Sequence, residues 1–266
     1  MHHALCNQIQ SIFESGFIYD SYANRIGKGT HRALNRCQYY ARKYKFVLQC
    51  DIRQFFPSID HQILTAIIQK KISDQEVLWL INKILDSGKD VLKKEFDMVY
   101  FPGDDLFAIN RTRGLPIGNL TSQFWANVYL TPFDNFIKRE LGCKAYLRYV
   151  DDFLLFDDDK IKLHFYKREI IKKLARYRLI LHPGTHPYPV SEGIPFLGFI
   201  VFPEKRRLKR RKGVFFQRKL KNMLSDYSIN KISEKKLNDS IQGWINHIRY
   251  GNTTGLMKSI LGRNIL

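Results

Sequence analysis

The sequence predicts an α+β fold, a split βαβ layout with helices on one face of the sheet, followed by a smaller helical segment. The first observation behind it is the element order: strand, helices, helix, hairpin, helix, strand. The second is the run YLRYVDDFLLF at residues 146 to 156, apolar and aromatic except for Asp151 and Asp152. The third is a change beyond Pro203, where apolar strand character gives way to basic helical sequence.

Taken in order, Leu5, Ile9 and Phe13 give residues 1 to 13 helical spacing, with no capping residue ahead of them. A loop over 21 to 34 leads into a helix from about Thr30 to Tyr44. The strand VLQCDIRQFF follows, with Asp51 at the end of its apolar part. Pro57 and Ser58 break the chain before a helix that starts near Asp60 and has Ile63, Leu64, Ile67 and Ile68 on one face. A second helix covers 75 to 86. Residues 88 to 116, with their glycines and prolines, read as an irregular excursion or small hairpin. A long helix over 120 to 141 precedes the acidic hairpin, read as strand 145–150, turn at Asp151–Asp152 and strand 153–157. A basic amphipathic helix over 160 to 177 and short strands near 178 to 182 and 195 to 202 complete this part, and the rest reads as all-helical. The predicted division is 1–45, 46–203 and 204–266.

Ionised carboxylates in a covered sheet are costly unless paired or bound to metal. Asp51, Asp151 and Asp152, three carboxylates from two strands, therefore make a candidate magnesium site. The chain of 266 residues carries 44 Lys and Arg against 25 Asp and Glu, a formal charge of +19, which points to polyanions and first to nucleic acid. The excess is local: residues 203 to 221 hold ten basic residues and one acid. Cys6, Cys37, Cys50 and Cys143 have no zinc or disulfide spacing, which fits a reducing cytoplasm. No apolar run approaches the ~20 residues that cross a bilayer, and the N-terminus lacks signal-peptide layout.

These residues resemble the reverse transcriptases of the prokaryotic class. CDIRQFFPSIDH is similar to the family's first catalytic motif, GLPIGNLTSQFWANVYL to the second, YVDD to the third, LILHPGTH to the fourth and PFLGFIV to the primer-grip motif. The resemblance implies a right-hand polymerase palm over 46–203, residual fingers and palm helices over 1–45, and a basic helical thumb over 204–266. It implies an RNA-directed DNA polymerase that works by phosphoryl transfer with two magnesium ions, manganese being an alternative. Asp51 and Asp151 would bridge both ions, Asp152 would be more peripheral, and the Ile52 carbonyl would complete one shell. Phe56 falls where the family's sugar-discriminating aromatic sits, its ring set against a ribose 2′ hydroxyl; core packing is the blander role. Gly118 and the segment through Gln123 match the loop and helix start that touch nucleotide and template. Lys209, Arg210, Arg211 and Lys212 would follow a duplex backbone. Partners would be an RNA template, a DNA or RNA primer, deoxynucleoside triphosphates and a small basic accessory protein.

The wording IGNLTSQ narrows the resemblance. Group II intron enzymes carry Gln before the glycine and Ser-Pro after it, where this chain has Ile117 and Ser122–Gln123. That form, with SYANRIGKGTH and GWINHIRYGNTTGL, resembles the reverse transcriptases of diversity-generating retroelements, which implies error-prone copying at template adenines in a prokaryotic or phage-encoded setting. Two departures stand out. The resemblance begins after the family's fingers hairpin, so truncated fingers are expected, and the alternative is a catalytically idle nucleic-acid-binding or phage-defence scaffold. The fourth motif's lysine position falls on Thr185, with His182 and His186 alongside. An imidazole at His186 could replace the lysine as proton donor, and a surface-loop histidine is the simpler role.

Overall fold

Helical apolar spacing winds the first residues into α1 (His2–Glu14), which buries Leu5, Cys6, Ile9 and Phe13. The computed structural model describes residues 1–89 and 91–265. They fall into two compact units, Met1–Arg36 with Phe46–Tyr188, and Cys37–Lys45 with the chain from Pro189 onward. The helix α2 (Thr30–Lys43) contributes to both.

In the first unit, β1 (Phe46–Cys50) runs into the short β2 (Ile52–Arg53) and the single turn α3 (Phe55–Ser58). Next come α4 (His61–Gln69) and α5 (Gln75–Gly88), capped by the carboxylates of Asp60 and Asp74, which accept from first-turn N–H groups. Over 88 to 116 the described residues form two 3₁₀ turns, Lys93–Glu95 and Leu106–Asn110, and no strand, so this stretch is the irregular excursion of the two forms expected. α6 (Leu120–Asn135) continues into a π-helical turn (Phe136–Glu140), with Pro132 inside the helix. Eleven of its sixteen residues are buried, as in a helix that passes through a core.

β3 (Tyr146–Tyr149) and β4 (Asp152–Asp157) form the acidic hairpin, and α7 (Lys160–Arg176) follows, capped by Asp159. β5 (Ile180–Leu181) pairs with β2, and β6 (Pro187–Pro189) completes a four-stranded sheet in the order β3-β4-β1-β6. On one face Leu48, Cys50, Tyr146, Phe153 and Leu155 share a core with apolar residues of α6 and α7. On the other, Val47, Leu147 and Leu154 are just as buried, which explains why these strands read as continuous apolar runs.

The hairpin turn differs from expectation by one residue. Tyr149 pairs with Asp152, so the two-residue turn is Val150–Asp151 and Asp152 opens the returning strand. Because side chains alternate along a strand, this register separates the two adjacent aspartates: one is in the turn and the other on the ladder.

The second unit departs from an all-helical reading. β7 (Ile194–Phe196), β8 (Phe199–Val201) and β9 (Arg206–Leu208) form an antiparallel three-stranded sheet, the last strand beyond Pro203. Arg206 is mostly buried although basic, its N–H and C=O bonded to Asn252 at 3.0 and 2.8 Å and its guanidinium reaching the Tyr250 carbonyl. α8 (Arg210–Ser228), α9 (Glu234–Ile248) and α10 (Thr254–Ile265) pack on Phe216, Leu220, Leu237, Ile241, Trp244, Ile248 and Ile260. The rings of Phe216 and Trp244 stack at 4.1 Å. Phe215, beside them in sequence, is exposed.

Candidate active site

Strand register brings the backbone positions of the three aspartates to one end of the four-stranded sheet. Asp51 directly follows the last β1–β4 pair, Cys50 with Phe153, so continuing the register sets it opposite Asp152. Asp151 lies one residue earlier, in the turn. The carbonyl of Asp51 accepts from the His182 N–H at 2.8 Å, which ties the β5 end to the same place.

The turn is strained. Val150 has a φ of 59°, in the left-handed region that a β-branched residue rarely adopts. Glycine is the usual residue at the first centre of a tight hairpin turn that needs positive φ there. Such a residue costs on the order of 1–3 kcal/mol and persists where surrounding contacts dictate it. Here the contact comes from beneath: Arg148, buried on the sheet face that meets α6, donates from Nη1 to the Val150 carbonyl at 2.9 Å. Its guanidinium is held by Asp134 of α6 through Nε–Oδ1 at 2.8 Å and Nη2–Oδ2 at 2.7 Å, and by the Asn127 side-chain oxygen at 3.1 Å. Nothing in the motif reading singled out this network.

Electrostatics mark the same spot. Asp151 has its carboxyl pushed above the usual carboxylate range, first by burial and then by the charge of Asp51, with its own N–H, that of Asp152 and Arg148 opposing. Asp51 lies at the surface, yet the protein packed around it also lifts its pKa, with His182 and the Ile52 N–H opposing. A divalent cation would remove both penalties, and hard carboxylate and carbonyl oxygens suit magnesium. Among the described residues no three His, Cys, Asp or Glu side chains are gathered closely enough to enclose an ion. The side chains of Asp51, Asp151 and Asp152, expected from the sequence to form such a site together, therefore do not enclose one as they stand.

The other expected residues are placed as follows. Phe56 is half-buried on the main core beside the fully buried Phe55, their rings 5.5 Å apart, and its carbonyl accepts from the Leu115 N–H at 3.0 Å. The chain leading to the second motif is thereby strapped to the first. Gly118 has a φ of 104° in the turn before α6, with open space where a Cβ would stand. Ser122 is buried, Gln123 half-buried and Ile117 exposed. Thr185 is buried and its hydroxyl donates to the His182 carbonyl at 2.8 Å, while His186 packs its ring toward Tyr188 on the exposed loop. The imidazole that acts electrostatically on Asp51 is that of His182.

In the second unit Lys209 is the cap residue of α8, and Arg210, Arg211 and Lys212 form its first turn. They line a groove with Gly198, Val214, Phe215 and Arg218. Cations at a helix N-terminus oppose the macrodipole, and this first turn contains no acid.

Residues 1–201 match the family model described as reverse transcriptase (RNA-dependent DNA polymerase). The chain is 30% identical over 131 residues to an uncharacterized 91 kDa protein in the cob intron of Schizosaccharomyces pombe, covering 49% of this chain and 14% of that protein. To the group II intron-encoded protein LtrA of Lactococcus lactis subsp. cremoris it is 28% identical over 129 residues, 48% of this chain and 19% of that one. To protein YkfC of Escherichia coli it is 22% identical over 244 residues, 77% and 60% respectively. The chain thus spans between 14% and 60% of the length of these relatives. Among solved structures, apo telomerase from Candida tropicalis, truncated from its C-terminal domain, matches with a TM-score of 0.55 at 14% identity, over 78% of this chain and 44% of that chain. Telomerase from Candida albicans, in complex with a TWJ fragment of telomeric RNA, matches with a TM-score of 0.54 at 11% identity, over 99% and 54%. At these identities the likeness is one of fold.

Proposed function

Because the chain belongs to the reverse transcriptase family, we propose that it copies an RNA template into DNA, with Asp51 and Asp151 holding two magnesium ions at the sheet end. The observation that carries this reading is the meeting of those two carboxylates at adjacent strand ends, each raised in pKa and the charge of one acting on the other. Asp152 and the Ile52 carbonyl, on either side, are the further oxygen ligands. When bound, the ions would lower the pKa of the primer 3′ hydroxyl and neutralise charge on the triphosphate. The protein's own part is placement. The half-buried ring of Phe56 limits the space at the sugar, Gly118 lets backbone come close to the nucleotide, and Gln123 in the first turn of α6 faces nucleotide or template. In the second unit Lys209, Arg210, Arg211 and Lys212 follow the phosphates of the template–primer duplex.

The test is primer extension on a defined RNA with deoxynucleoside triphosphates and magnesium. Template-directed cDNA is expected from the wild-type chain and none from Asp151→Asn, and a folded wild-type chain that incorporates nothing would overturn the reading.

The wording of the second motif supports a finer proposal, that the enzyme serves a diversity-generating retroelement with a small basic accessory protein, in the cytoplasm of a prokaryotic or phage-infected cell. Among the described residues no helix is long and apolar enough to cross a membrane. Exposed Ile117 and half-buried Gln123 flank the glycine turn where pairing would be inspected. Sequencing cDNA made on an RNA of known sequence is expected to give errors concentrated at template adenines. A uniform error spectrum would remove the retroelement assignment and leave the polymerase.

A further inference from the structure

We propose that the buried Arg148–Asp134 pair is a positioning device that holds the Val150–Asp151 peptide, and through it the Asp151 carboxylate, in its working orientation. The proposal rests on the reading of Asp151 as a catalytic metal ligand.

Arg148 and Asp134 are about as buried as any residues in the protein, at 1% and 0% exposure. They sit between a largely apolar sheet face and a helix whose buried Asn127 binds the same guanidinium. Stability alone does not account for a pair there, because an ion pair in such a place does no better, and often worse, than well-packed apolar side chains of the same volume. What apolar side chains could not supply is the bond beyond the pair, from Nη1 to the Val150 carbonyl at 2.9 Å.

That bond acts on one peptide unit from one end. Its carbonyl belongs to Val150 and is gripped by the guanidinium, while its N–H belongs to Asp151. Rotating the peptide would move both. The grip is anchored deeply. Asn127 and Asp134 lie seven positions apart on one face of α6, the Tyr146 hydroxyl donates to Asp134 at 2.6 Å, and the Asn127 amide donates to the Ala23 carbonyl at 2.9 Å. The main chain of Arg148 is pinned as well, its N–H to Asp20 at 2.9 Å and its carbonyl from Tyr22 at 3.0 Å. A rigid fork of donors is needed to serve a carboxylate, an amide oxygen and a turn carbonyl together, and lysine offers only a point charge.

Three variants test this in the full chain. Arg148→Met with Asp134→Leu and Tyr146→Phe replaces the ionic cluster by apolar groups, Arg148→Lys keeps the charge and loses the fork, and Val150→Gly keeps the cluster but lets the turn relax. Primer extension and thermal unfolding are run on each, with and without magnesium. Expected is a melting temperature within a few degrees of wild type for the triple variant and for Val150→Gly. Their kcat is expected to fall on the order of 100-fold, with a raised magnesium requirement, a smaller magnesium-induced rise in melting temperature and an unchanged KM for primer–template. Arg148→Lys is expected to be as slow as the triple variant. If the triple variant or Val150→Gly folds and keeps wild-type kcat and magnesium dependence, the pair is structural only and the proposal falls. Should the triple variant not fold, Val150→Gly decides alone. The reading beneath is judged separately: a wild-type chain without activity, or an active Asp151→Asn, would sink the catalytic assignment itself.

Discussion

Replacing Lys209, Arg210, Arg211 and Lys212 together by glutamine is expected to weaken nucleic-acid binding while making the protein more stable. All four stand at the start of α8, Lys209 partly exposed and the others exposed, in a first turn with no acid. If each contacts one phosphate, the slope of log K against log salt should shrink by about 0.9 per contact, or about 3.6 in all. Between about 50 and 200 mM salt the wild type then loses roughly 150-fold more affinity than the variant does. The stability change has the opposite sign, since each cation at a helix N-terminus costs about 0.3–1 kcal/mol at low ionic strength. A melting temperature a few degrees higher is expected, and the gain should fade as salt is added. Fluorescence anisotropy with a labelled RNA–DNA duplex at several salt concentrations measures the first effect, and calorimetry the second. An unchanged salt slope would refute the phosphate assignment, and a lower melting temperature would mean that these side chains stabilise the fold.

Asp151→Asn should abolish incorporation with an equal or higher melting temperature, because burial and the Asp51 charge both disfavour the ionised carboxylate. Magnesium should stabilise the wild type, by ~1.4 kcal/mol at ten times its Kd, and the variant less; equal magnesium effects on both would count against the site. Phe56→Ala should lower the preference for deoxyribonucleotides at least about tenfold in kcat/KM while catalysis continues, and an unchanged preference returns the half-buried ring to a packing role. His247 has its pKa held below the ordinary 6.5, first by burial and then by Lys212. The folded chain therefore binds fewer protons than the unfolded one between the two values, and stability present above ~6.5 is lost as the pH falls. The melting temperature of wild type should drop relative to His247→Phe from about pH 7.5 to about pH 5, and a constant gap would show that the imidazole does not titrate in this window.

What the sequence discloses and what it hides follow from the range of the interactions. Apolar periodicity marks α1, α4, α5 and α7 within a residue or two, since each spacing is local. Asp51 and the Asp151–Asp152 pair stand out because charge breaks an apolar run. The turn position is hidden, because Val150 has high strand propensity and positive φ normally advertises itself through glycine or asparagine. β9 is hidden for the complementary reason. Its Arg206 and Arg207 look like part of a solvated basic helix, yet they pair with Val201 and Ile200 of β8, and Arg206 is fastened further to Asn252 and Tyr250, more than forty residues on. His182 is separated from Asp51 by the whole of the intervening chain, and its approach is decided by the two-residue pairing of β2 with β5. Arg148 and Asp134 did leave a trace, one charge on the buried side of a strand and one on that of a helix, and that pattern is legible once helix and strand are set face to face.

The places where local rules are broken in this chain have a common remedy. A β-branched residue holds positive φ, two carboxylates crowd one sheet end, and three cations open a helix whose dipole repels them. Each costs stability by itself, and sequences under selection for folding alone tend to remove such costs. On the proposed function a bound divalent ion would relieve the carboxylates, and a polyanion would relieve the cations. The proposed reading asks for opposite signs of charge at the two places, negative where ions would be held and positive where phosphates would lie, and the two clusters carry those signs. The strained turn connects the two ideas, since a carboxylate that has to hold an ion in one orientation gains from a peptide that cannot relax. For that reason Val150→Gly is the most informative single substitution in the chain, because it should improve the backbone and impair the chemistry at once.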